Sequence, residues 1–164
     1  MLLGLHHVAM ATENLERLSA FYRDMFGMTV LTEGEWDDDP AIDAIVGLPH
    51  SAARFRLLGA GNLAIELFEY QRPRSLREAG YRPVSKPGLT HICFAVRDID
   101  AEHARLCAAG VRFHAPPPPK AQADAEEQIY RAVYGRDIDG NVFELMEIAG
   151  DTPFDYAPQP ARWR

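Results

Sequence analysis

Residues Gly88 to Asp100 read GLTHICFAVRDID, and residues Gly4 to Leu15 read GLHHVAMATENL. Glycine, leucine and histidine recur in register 84 residues apart: Gly4 with Gly88, Leu5 with Leu89, His7 with His91. Each stretch is an alternating apolar run, then a polar turn, then a helical pattern. Self-similarity at such a spacing marks a duplicated supersecondary unit, so the repeat decides the fold. His7 and His91 are then one position of two copies.

Outward from the first copy, Leu2 to Ala11 alternates as a strand, with Leu5, His7, Ala9 and Ala11 on one face. Asn14 is placed to cap a helix carrying Leu15, Leu18, Phe21, Tyr22 and Met25, and Gly27 to end it. Met28 to Thr32 reads as a second strand. Gly34 to Ser51 reads as a break with a short helix in AIDAIVGL. Ala53–Leu58 and Leu63–Tyr70 read as a hairpin turning at GAGN. The polar, proline-bearing stretch 71–87 reads as a linker. The second copy gives a strand over Leu89–Val96, a helix over Ile99–Ala109 stopped by Gly110, and a strand over Val111–His114. The run Pro116–Pro119 must be extended. Ala121–Gln128 is open between short helix and loop. Tyr130–Tyr134 and Val142–Ile148 form a closing hairpin around Asp139-Gly140. The expected organisation is an α+β chain: module 1–70, linker 71–87, module 88–148 and tail 149–164. Each module runs strand, helix, strand, strand, strand. The tail is free to pack on the body, on a partner subunit, or on neither.

The chain has 164 residues and a formal net charge of −7. An acidic balance argues against nucleic acid, whose phosphates need clustered Lys and Arg, and against an anionic membrane surface. No run approaches the ~20 apolar residues of a membrane helix. The start lacks the basic region and apolar core of a secretion signal, so a cytoplasmic protein is expected. Cys93 and Cys107 are expected as buried free thiols, consistent with a reducing compartment.

The strand faces gather the chemistry. Glu66 in LAIELFE and Glu144 in VFELME are the second echo between the halves, and the alternation puts them on the face that carries His7 and His91. Ala9, Ala11, Ala64, Cys93 and Ala95 share that face, and small residues beside ionisable ones suggest a cleft. Two imidazoles and two carboxylates suit a divalent ion such as Zn²⁺, Ni²⁺, Co²⁺, Mn²⁺ or Fe²⁺. Four protein ligands in an octahedral sphere leave two positions for substrate oxygens, and a chelated carbonyl acidifies the neighbouring C–H. A carboxylate that can leave the ion is a base for that proton. The remaining histidines, His6, His50, His103 and His114, read as structural or solvated. Glu69 and Glu147 read as wet-face residues, and Asp37–Asp39 as a solvated loop. Trp36, Ile45, Val46 and Leu48 either line a substrate pocket under a lid or bury the short helix. No P-loop, dinucleotide glycine pattern or nucleophile elbow is present.

These residues together resemble the vicinal oxygen chelate superfamily, the glyoxalase, bleomycin-resistance and dioxygenase proteins. The likeness rests on LHHVAM followed by AFYRDMFGM, on IEL, on THICFAVRD and on DIDGNVFEL. It implies two βαβββ modules whose eight strands form a curved mixed sheet around a metal cleft. It implies His7, Glu66, His91 and Glu144 as ligands, with Glu144 the base and Glu66 its pseudo-symmetric partner. The leading expectation is a metal-dependent lyase, isomerase or epimerase on a small substrate chelated through adjacent oxygens. A type I extradiol dioxygenase using Fe²⁺ and a non-catalytic antibiotic binder are the alternatives. Ala11 and Phe68–Tyr70 stand where glyoxalase I carries residues that hold glutathione, which argues against a glutathione adduct. A homodimer is expected, because such modules pair within one chain or between two.

Overall fold

The structure, a computed structural model, describes residues 4–76, 80–125, 127 and 129–148. The expected tail 149–164 and the first residues of the expected opening strand lie outside them. Twelve elements follow in order. The first half holds β1 (His7–Ala11), α1 (Leu15–Phe26), β2 (Thr29–Asp37), α2 (Pro40–Val46), β3 (Ala52–Ala60) and β4 (Leu63–Arg72). The second holds β5 (Ile92–Val96), α3 (Ile99–Ala108), β6 (Arg112–Phe113), α4 (Lys120–Ala125), β7 (Tyr130–Arg136) and β8 (Val142–Ile148). Two compact units meet in sequence between Ala79 and Gly80. The fold is α+β, with eight strands in two four-stranded mixed sheets, ordered β1-β4-β3-β2 and β5-β8-β7-β6. No helix among the described residues is long and apolar enough to cross a membrane.

The first half is built as its pattern dictates. Asn14 Oδ1 accepts from Arg17 N at 2.9 Å and starts α1, satisfying an amide that has no partner inside the helix. Leu15, Leu18, Phe21 and Tyr22 are buried, the stripe that docks the helix on its sheet. Gly27 ends it at φ 64°, a conformation open to glycine without strain. The second half repeats the device 84 residues on, where Asp98 Oδ1 accepts from Ala101 N at 2.9 Å and Ile99 and Leu106 are buried.

β2 runs to Asp37, further than the expected Thr32, because β3 offers a full antiparallel partner from Thr29↔Gly59 to Asp37↔Ala52. Gly34 makes this pairing fit: a side chain there would start 2.8 Å from the Phe55 ring. The expected break therefore shrinks to α2 and its flanks. Trp36 is a core residue, 8% exposed, edge-on to Phe68 and Tyr70, with its indole N–H donating to Ser51 Oγ at 2.8 Å. Ile45 points outward, 83% exposed. In the second half the open alternative resolves as helix α4, which starts on the Pro119 carbonyl. Both cysteines are free and exposed, against the expectation of burial. Among the described residues Cys93 lies on β5, an edge strand of its sheet, and Cys107 on α3, whose buried residues are Ile99 and Leu106.

A second set of groups is duplicated alongside the strands. Glu69 accepts from Leu15 N at 2.8 Å and from Arg54 at 2.9 Å, and Arg54 also reaches Glu16 at 3.5 Å. Arg131 pairs with Glu147 at 3.1 Å and Asp100 at 2.8 Å, and donates to the Pro118 carbonyl at 2.8 Å. The two triads occupy matching places, Arg54↔Glu69 and Arg131↔Glu147 being register partners. Each pins the first turn of its helix to the sheet. Glu69 and Glu147 are therefore half-buried ion-pair members rather than wet-face residues.

Candidate functional site

β4 lies between β1, which it pairs in parallel, and β3, which it pairs antiparallel. The register sets Ala9 and Leu57 on either side of Glu66. His7, two residues back along β1 on the same face, reaches across, and its Nε2 stands 3.2 Å from Glu66 Oε2. In the second half β8 lies between β5 and β7, and the register sets Cys93 and Tyr134 on either side of Glu144. His91 immediately precedes β5, and its Nε2 stands 3.1 Å from Glu144 Oε2. All four residues singled out in the sequence are thus paired, one imidazole with one carboxylate in each unit. Ala64, expected beside the site, is fully buried next to His7 in the register. Its small side chain is part of the core.

Two donors about 2.0–2.2 Å from one ion and at right angles stand about 3 Å apart, so both pairs have the spacing of neighbouring ligands. The same spacing fits an imidazole Nε2–H donating to a carboxylate. Nitrogen and oxygen donors without thiolate suit Zn²⁺, Ni²⁺, Co²⁺, Mn²⁺ or Fe²⁺. The halves differ in their surroundings. The Glu144 side chain is 10% exposed and that of Glu66 20%. The His91 ring lies 4.8 Å from the Tyr134 ring. Burial of the sulfur, then the charge of Glu144 and a hydrogen bond to it, push the Cys93 thiol up to about 12. The residue is exposed by area, yet enough atoms crowd its sulfur that burial comes first among these causes. At neutral pH the thiol is therefore held in its protonated, weakly nucleophilic form. Burial and the same carboxylate also raise Tyr134, while burial and Glu66 raise Tyr70.

The other histidines separate. His103 packs on Phe113, with ring centroids 4.5 Å apart. His114 accepts from Arg136 Nε at 3.1 Å, and burial followed by that cation lowers its pKa. His50 pairs with Asp38 at 2.7 Å, and with Asp43 these offer donor atoms within 4.8 Å of one another. Asp43 is already engaged there. One of its oxygens accepts from Ser51 N and Oγ and the other from His50 N, which closes the loop after α2. His6, read as structural, stands with its Nδ1 2.8 Å from His7 Nδ1. The signal that would have found it is its position in the repeat, where Thr90 stands in the second copy.

Residues 4–145 match the family model of the Glyoxalase/Bleomycin resistance protein/Dioxygenase superfamily, and the chain belongs to that superfamily. An ethylmalonyl-CoA/methylmalonyl-CoA epimerase from Cereibacter sphaeroides is 30% identical over 145 residues, 88% of this chain and 97% of that protein. A glyoxalase family protein from Bacillus cereus shares the fold at a TM-score of 0.78 and 22% identity, over 92% of this chain and 97% of that one. A point variant of the fosfomycin resistance protein FosX from Listeria monocytogenes, solved with Mn(II) and a dihydroxypropylphosphonic acid, matches at a TM-score of 0.54 and 25% identity. That match covers 92% of this chain and 95% of the other.

Proposed function

We propose that the protein is a divalent-metal-dependent lyase, isomerase or epimerase that moves a proton on the carbon beside a carbonyl. The observation that carries this is the pair of matching half-sites, His7 with Glu66 and His91 with Glu144, at 3.2 and 3.1 Å. His7, Glu66, His91 and Glu144 together would hold one ion, whether drawn from one chain or from two copies in a homodimer. A bound divalent ion supplies a Lewis acid for two adjacent substrate oxygens, which lowers the pKa of the C–H next to the carbonyl. Glu144 accepts that proton on a carboxylate oxygen, and the C–H electron pair passes into the carbonyl group. Glu66 is the equivalent carboxylate of the other half. Two such groups are the number an epimerisation uses, one to take the proton and one to return a proton to the opposite face. Among the three reaction types, the 30% identical epimerase favours inversion at the carbon of a 2-substituted acyl-CoA ester.

The test is solvent exchange. Metal-free protein and protein loaded with Zn²⁺, Co²⁺ or Mn²⁺ are incubated in deuterated buffer with methylmalonyl-CoA and with a thiohemiacetal of a 2-oxoaldehyde. Deuterium should enter the 2-position only with metal present, and the acyl-CoA ester should be the better substrate. No exchange in either substrate with any of the ions would sink the proposal.

A further inference from the structure

Each ligand histidine has a polar neighbour on its other nitrogen, and both neighbours sit at one position of the repeat. Thr90 Oγ1 lies 2.9 Å from His91 Nδ1. His6 Nδ1 lies 2.8 Å from His7 Nδ1, with the two rings edge to face. One half uses a hydroxyl and the other an imidazole, but the two groups share a property: each can donate or accept. The hydroxyl does so by rotating, the neutral imidazole by changing tautomer.

That property matches what the site requires. Without an ion, Nε2 of each ligand histidine faces a carboxylate oxygen at 3.2 or 3.1 Å. A charged acceptor holds the ring proton there, Nδ1 is bare, and its neighbour must donate. When Nε2 gives its lone pair to an ion, the ring proton moves to Nδ1 and the neighbour must accept. Histidine ligands commonly give that N–H to a carboxylate or a backbone carbonyl. Those groups only accept, and would leave Nδ1 without a partner in the metal-free protein.

We infer that His6 and Thr90 are positioning residues that hold Nδ1 of His7 and His91 through both states by reversing the direction of one hydrogen bond. The inference rests on the metal-binding reading above. It concerns ring orientation and tautomer, not contact with substrate. Both hydrogen bonds are exposed to water, which competes for them. Their loss should therefore act at the lower end of the about 10- to 100-fold range seen when partners of metal ligands are removed.

The test uses Thr90→Val and His6→Phe, which keep shape and lose the hydrogen bond. Thr90→Ser and His6→Thr restore a hydroxyl. Long-range proton–nitrogen NMR at about pH 8, above the ordinary histidine range, reads the tautomer of His7 and His91 in metal-free and Zn²⁺-loaded protein. Competition against a chelator reads Zn²⁺ affinity. The wild type should carry the proton on Nε2 without metal and on Nδ1 with it. Thr90→Val and His6→Phe should broaden or mix the tautomers of His91 and His7 respectively and weaken Zn²⁺ by about tenfold. The two hydroxyl variants should return both readouts to within about twofold of wild type. Unchanged tautomers and affinity in Thr90→Val and His6→Phe would overturn the inference. A wild type that binds no Zn²⁺ would instead overturn the metal reading, and the metal-free spectra would still decide whether His6 and Thr90 hold the rings.

Discussion

The two half-sites share their donors and their register, and differ in nearly everything beside them. Glu66 lies between Ala9 and Leu57, whereas Glu144 lies between Cys93 and Tyr134. The second carboxylate is the drier of the two, accepts a hydrogen bond from a thiol, and adjoins an imidazole with an aromatic ring beside it. Duplication has kept the imidazole, the carboxylate and their spacing and let the flanks diverge. Glu144 is the more buried of the two and has a thiol and a phenol where Glu66 has only apolar neighbours in the register, so the two glutamates should not be interchangeable. Glu144→Gln should cut metal-dependent exchange by about 10²- to 10⁴-fold, the range of a lost acid–base group. Glu66→Gln should cost about tenfold. Metal content measured on both variants separates loss of the ion from loss of the base. Equal losses in the two variants would break the comparison and make the flanking residues irrelevant to chemistry.

The thiol sharpens the same contrast. A pKa pushed up to about 12 leaves Cys93 far less thiolate than an ordinary cysteine. Intrinsic nucleophilicity rises with pKa and recovers part of the deficit, leaving Cys93 about 10²-fold slower than an ordinary thiol toward a disulfide reagent at about pH 8. Stopped-flow titration of metal-free Cys107→Ser should show that slow phase. Adding Glu144→Gln should speed it, since the carboxylate is the second cause of the shift. A fast Cys93 that ignores Glu144 would show the thiol to be open to solvent.

How much of this could be read from the letters follows from what a period encodes. Alternation fixes which residues share a strand face, and the 84-residue echo fixes which faces correspond. The histidines follow from that echo and the glutamates from a second one 78 residues apart, Glu66 with Glu144, so all four are assigned to one face by pattern alone, while the pairing of His7 with Glu66 and of His91 with Glu144 comes from the structure. Alternation says nothing about which strand lies alongside which, or in what register. The two expected hairpins set β3 beside β4 and β7 beside β8 but not their register, so Tyr134 beside Glu144 and Arg54 beside Glu69 were not legible, and neither was the full length of β2, which comes from its pairing with β3. Trp36 was ambiguous for a related reason, because its partners Phe68, Tyr70 and Ser51 come from other segments. His6 was passed over because adjacent strand residues ordinarily face apart, and it precedes β1 rather than lying in it.

The ion-pair triads give a stability version of the comparison. Arg131 has a side chain 7% exposed and three partners, while Arg54 is 35% exposed. Removing a buried partner leaves charges and a carbonyl without their donor. Arg131→Met should therefore cost about 2–4 kcal/mol, discounted from a fully buried pair because Asp100 is open to water. Arg54→Met should cost about 1 kcal/mol. Urea unfolding of the two variants gives the values. Similar losses would mean that the triads differ in exposure but not in worth.

The acid side of the stability curve reverses that order. In the second half the arginine is buried and Asp100 is 63% exposed; in the first the arginine is more open and Glu69 is 22% exposed. The hydrogen bond from Arg131 holds the Asp100 carboxyl below its usual range. Burial pushes Glu69 up, but the Leu15 amide and Arg54 outweigh it and bring it down. Both folded pKa values lie below the unfolded ones. Each contribution is therefore whole above the unfolded carboxylate range near about pH 4 and is lost as pH falls through the lower folded value. Wild-type stability should therefore fall as the pH drops below about 4. Asp100→Asn should flatten that fall by about half a kcal/mol or less, because an exposed pair is screened by water and salt. Glu69→Gln should flatten it by more, its carboxylate being the drier. An Asp100→Asn effect as large as that of Glu69→Gln, and unmoved by added salt, would mean that Asp100 is shielded from solvent in solution.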